Sequence, residues 1–97
     1  MALNKTNRSI DDWRAWVAGR LLTEYPTARM KCVIAVGSIE GLCIHIDRWH
    51  ANKMFTNSVS LSLGELNGHS DLKSCWGMVR EKVDKSLREL DALVMTD

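Results

Sequence analysis

The sequence predicts an α+β fold in a single domain, ordered α-β-β-β-α, with a three-stranded antiparallel sheet and both helices on one face. Three observations carry this. Apolar residues recur at helical spacing before residue 26 and again after residue 70. Between residues 30 and 63 the period drops to two. The links between the period-two runs are too short for parallel crossovers, so the strands pair antiparallel.

Residues 1–8 (MALNKTNR) read as a flexible lead-in, and the domain proper as 9–97. Ser9-Ile10-Asp11-Asp12 has the form of a capping box, and two acids in the first turn suit the positive end of the helix dipole. Ile10, Trp13, Val17 and Leu21 lie on one face, with Trp16 beside them. Pro26 ends this helix by disfavouring the α region at Tyr25.

Three strands follow. Met30, Cys32, Ile34 and Val36 form the apolar face of the first, Leu42, Ile44 and Ile46 that of the second, and Val59, Leu61 and Leu63 that of the third. Gly37 to Gly41 joins the first pair as a short hairpin loop, whereas Arg48 to Asn57 reads as a longer, irregular connection. Gly64 to Ser70 reads as a loop. Ser70 or Asp71 then caps a last helix with the stripe Leu72, Trp76, Val79, Val83, Leu87, Leu90 and Val94. Such a helix is roughly 36 Å long. It should outrun strands of six residues, leaving its turns from Leu87 to Val94 overhanging.

Composition excludes several function classes. The 97 residues carry 13 Lys and Arg against 12 Asp and Glu, a net charge of +1. No strong field draws nucleic acid, and the chain is no acidic mimic of DNA. Cys32, Cys43 and Cys75 are odd in number and lack C-x-x-C spacing, which favours reduced thiols over a disulfide framework. The first eight residues lack the apolar core of a signal peptide, and no apolar run nears the roughly 20 residues of a membrane helix. A cytoplasmic chain with no membrane partner is expected.

Cys43, His45, Asp47 and His50 are metal-ligand residue types. Residues 43, 45 and 47 share one strand face, but no second cluster supplies further ligands at a recognisable spacing, so neither a metal nor another cofactor is expected. His45 or His50 with Asp47 has the residue types of a hydrolytic acid–base pair, and a metal- or His-dependent hydrolase centred there is one alternative. No nucleophile elbow, oxyanion loop or phosphate loop accompanies it, so the chain is read as a non-enzyme.

The order α-β-β-β-α is similar to that of double-stranded RNA-binding domains and of some small toxin ribonucleases. The order of elements is all that is shared. Such domains need basic residues at the start of the last helix and in the first hairpin loop. Here the helix start offers Lys73 beside Asp71, and the loop carries Glu40. Nucleic-acid binding through Arg29, Lys31, Arg48 and Lys53 is therefore a second alternative, not the favoured one.

The favoured expectation is a small protein-binding module: an inhibitor, immunity or accessory factor of phage or mobile-element type that occupies a surface of a larger protein. The large side chains of Trp49, Met54 and Phe55 fall among polar ones, and Trp, Met, Phe and Arg are enriched at interfaces. The expected partner surface comprises Arg48, Trp49, His50, Lys53, Met54 and Phe55, with His45 and Asp47. Leu90, Leu93 and Val94 near the C-terminus form a candidate surface for homodimerisation.

Overall fold

The computed structural model describes residues 8–96. Of the expected lead-in, residues 1–7 lie outside the described residues. Arg8 is tied down, its N–H bonding the Asn67 side-chain oxygen at 3.0 Å.

The elements are α1 (Ile10–Glu24), β1 (Arg29–Ile34), β2 (Gly41–His50), β3 (Lys53–Ser62), α2 (Leu63–Asn67) and α3 (Leu72–Thr96). The strands form one open antiparallel sheet in the order β1-β2-β3. On its covered face α1 lies over β1 and α3 over β3.

α1 and α3 begin as the sequence predicts. The Ser9 hydroxyl accepts the Asp12 N–H at 3.2 Å, and the Asp71 carboxylate accepts the Ser74 N–H at 2.7 Å. α1 stops at Glu24, two residues before Pro26.

Four expectations are corrected. First, Arg48 to Asn57 is regular. β2 and β3 pair without a break out to His50 and Lys53, joined by Ala51 and Asn52 at φ +51° and +64°. A two-residue turn with both central residues left-handed matches the twist of its flanking strands. Second, β3 ends at Ser62, and Leu63 opens α2 inside the expected loop. Ser62 and Glu65 close a reciprocal capping box there, and Leu66 is fully buried beneath it. Third, Val36 lies beyond the end of β1 and is fully exposed. Fourth, α3 does not overhang at Leu90, which is completely buried. Strands of ten residues reach roughly 33 Å, nearly the length of the helix.

The core joins Trp13, Val17 and Leu21 of α1 to Ile44 and Ile46 of β2, Val59 and Leu61 of β3, Leu66 of α2, and Trp76, Val79, Val83 and Leu90 of α3. Edge-to-face rings link the helices, with Trp16 centred 5.3 Å from Trp13 and 6.1 Å from Trp76. Gly41 admits close backbone approach: a Cβ there would collide with the Leu61 carbonyl oxygen.

Candidate partner-binding surface

Strand alternation divides the expected partner residues between two faces. On the open face the register aligns Arg29 with Asp47 and Thr56, then Lys31 with His45 and Ser58, then Val33 with Cys43 and Ser60. Trp49 pairs with Met54 on this same face, one step before the hairpin turn. Arg48, His50, Lys53 and Phe55 alternate to the helix-covered side. The sequence segment thus supplies two surfaces rather than one.

The helix-side residues are largely engaged within the chain. Arg48 forms an ion pair with Asp91 of α3, Phe55 is half-buried against the core, and the Lys53 ammonium sits 5.8 Å from the centre of the Phe55 ring. The open-face pair is different. Trp49 is 55% and Met54 52% exposed, a large apolar area left in water at the tip of a regularly paired hairpin. Asp47 is steadied by the Thr56 hydroxyl, which donates to it at 3.2 Å.

Beside Trp49 opens a cleft of about 570 Å³, between the α1–β1 connection and the end of β2. Tyr25, Pro26, Arg29, Arg48 and Trp49 contribute to its walls, and Ile46 and Leu87 to its apolar floor. Tyr25 is anchored by donating its hydroxyl to Asp84 of α3 at 2.6 Å. Burial, then this bond to a carboxylate, pushes the phenol well above its ordinary value. In the sequence Tyr25 stands out only as the residue before Pro26, not as a cleft residue. The adjacent Pro26, which ends α1, is the signal that places its side chain at a chain reversal.

The alternative sites do not converge. Among the described residues no three His, Cys, Asp or Glu side chains gather as a ligand set. Cys43, His45 and Asp47 follow one another along a strand at roughly 6.6–6.8 Å per step. His50 lies on the other side of β2 from His45 and Asp47. Of the four basic residues expected to grip nucleic acid, Arg29 and Lys31 share the open face, Arg48 is paired with Asp91, and Lys53 is on the helix side.

The expected self-association surface is also divided. Leu90 is part of the monomer core and Val94 is half-buried, while Leu93 and Met95 are exposed. Among the described residues no helix is long and apolar enough to cross a membrane.

No protein-family model matches the chain, no curated protein is significantly similar to it, and no solved structure matches its fold at a significant level.

Proposed function

We propose that this chain is a non-enzymatic protein-binding module that occupies a surface of a larger protein, in the manner of an inhibitor, immunity or accessory factor. The setting among phage and mobile-element proteins is an association with small stand-alone modules generally.

The observation that carries the reading is the half-exposed Trp49–Met54 cross-strand pair, of which Trp49 also lines the 570 Å³ cleft. Trp is the residue type most often found to dominate binding energy, particularly where a neighbouring pocket lets a partner exclude water around it. Met adapts its shape to what it meets. Both side chains stand on a two-residue hairpin fixed by ten cross-strand partners on each side. A partner therefore does not pay to order this surface before docking. The cleft adds a concave receptor for a partner side chain next to that anchor.

A photocrosslinker placed at Met54 tests the proposal in cells of the source organism. The expected result is one dominant protein adduct that untagged wild-type chain competes away. Adducts spread over many proteins without competition would overturn it, as would a dominant adduct to RNA or DNA.

A further inference from the structure

The two outer edges of the sheet are built differently. On β3, His50 and Lys53 flank the two-residue turn and so form a hydrogen-bonded pair. Alternation from there turns the main-chain groups of Met54, Thr56, Ser58 and Ser60 outward. In the middle of that row the Asn57 side-chain oxygen accepts the Ser58 N–H at 2.9 Å. The same carboxamide donates to the Ser86 carbonyl at 3.3 Å and to Glu89 at 3.1 Å. This edge is plugged by its own side chain and strapped to α3, a means of keeping other strands off.

β1 has no such plug. The Ala35 N–H bonds the Gly41 carbonyl at 2.9 Å, which sets the alternation on this side. Lys31 and Val33 then turn their main-chain groups toward β2, and Met30, Cys32 and Ile34 turn theirs away from the sheet. No side chain or loop of the described residues bonds these outward groups.

Alongside this edge runs a groove of about 280 Å³ between α1 and β1. Ala18, Leu21, Met30 and Cys32 line it with apolar surface, and Arg14 and Lys31 border it. Leu22, 74% exposed, flanks it on α1, and Ile34, 38% exposed, stands on the strand.

We propose that the free edge of β1 takes an extended peptide of a partner protein as a fourth strand, with alternating apolar and acidic residues. The peptide main chain bonds the outward groups of Met30, Cys32 and Ile34. Every second side chain enters the groove against α1, which calls for apolar residues there. The intervening side chains lie on the open face beside Arg29 and Lys31, which calls for carboxylates. A second copy of this chain is the wrong occupant, because pairing β1 with β1 brings two sets of Arg14, Arg29 and Lys31 together. The groove uses neither Trp49 nor Met54, so it stands or falls apart from the surface proposed above.

The test titrates the intact protein with capped heptapeptides that alternate Glu with Val, Ile or Leu, read by amide NMR and fluorescence anisotropy. A matching series carries Lys in place of Glu. At least one acidic peptide is expected to shift the amides of Met30, Cys32 and Ile34 but not those of Ser58 and Ser60, and the Lys series to bind at least about tenfold more weakly. Ile34→Pro removes one outward donor without breaking a bond to β2. Leu22→Ser removes exposed apolar surface without adding charge and leaves the core intact. Each is expected to weaken binding about tenfold. The proposal is overturned if no acidic peptide binds, if the Lys series binds equally, or if the shifts map to β3. Binding indifferent to both variants overturns it too, as does a dimer of the chain that Ile34→Pro converts to monomer.

Discussion

Trp13 donates its indole N–H to the Asn67 side-chain oxygen at 2.9 Å, across 54 residues of sequence. The indole is completely buried, and the same oxygen takes the Arg8 N–H at 3.0 Å. One carboxamide thus ties the chain entry, the first turn of α1 and the end of α2. Asn67→Ala leaves a buried donor without a partner and is expected to cost about 1–3 kcal/mol in urea unfolding. Asn67→Asp keeps the acceptor and should lose less. Equal losses from both variants would show that the oxygen is not the important atom.

The β2–β3 turn holds strain that a single change can relieve. Ala51 sits at φ +51°, where an L side chain costs roughly 1–2 kcal/mol. Ala51→Gly is expected to raise stability by about 0.5–1 kcal/mol, and thermal unfolding measures it. A loss of stability would mean that the connection is not this left-handed turn.

Acid should weaken the chain through two helix starts. The Ser62 backbone N–H and then Lys82 hold the Glu65 carboxyl below its ordinary value, and the Ser74 backbone N–H does the same for Asp71. Groups with depressed folded values contribute stability that is present above their unfolded values, near pH 4. That contribution is lost as pH falls through the lower folded values. Urea midpoints measured between pH 7 and pH 2 should therefore fall on the acid side, and the fall should be shallower for Glu65→Gln. An identical acid limb in the variant would remove Glu65 from the account.

The three thiols should react unequally. Burial raises Cys32 and Cys75 to about 11, and both are enclosed in the core. Cys43 stands half-buried on the open face of β2. Iodoacetamide at pH 8, followed by peptide mass mapping, is expected to modify Cys43 first. Early modification of Cys75 would contradict the packing of α3.

Much of this architecture is legible in the sequence, because the apolar stripe of each helix and the alternation in each strand point to the same core. Trp13, Val17 and Leu21 are buried where their spacing puts them, as are Leu42, Ile44 and Ile46. The hairpin tip is harder to read. Large residues stand on both of its faces, Trp49 and Met54 on one and Phe55 on the other, which hides the period of two. Its turn also lacks glycine, the usual mark of left-handed backbone. At Leu63 the apolar alternation runs on past the true end of the strand. The signal that corrects it is Ser62 followed three residues later by Glu65, a capping box written in the sequence. The candidate surface was half legible for the same reason. The residue types at 48–55 point to an interface, but their division between faces depends on a register that an irregular loop would not have.

The central claim is that Trp49 serves binding rather than folding. Its most direct test measures the affinity of Trp49→Ala for the protein that crosslinks at Met54, together with the thermal midpoint of the variant. The account predicts a loss of at least about 30-fold in affinity, near 2 kcal/mol, with a midpoint within about 2 °C of the wild type. A midpoint lowered by ten degrees or so with affinity unchanged would contradict it, and Trp49 would then belong to the fold alone.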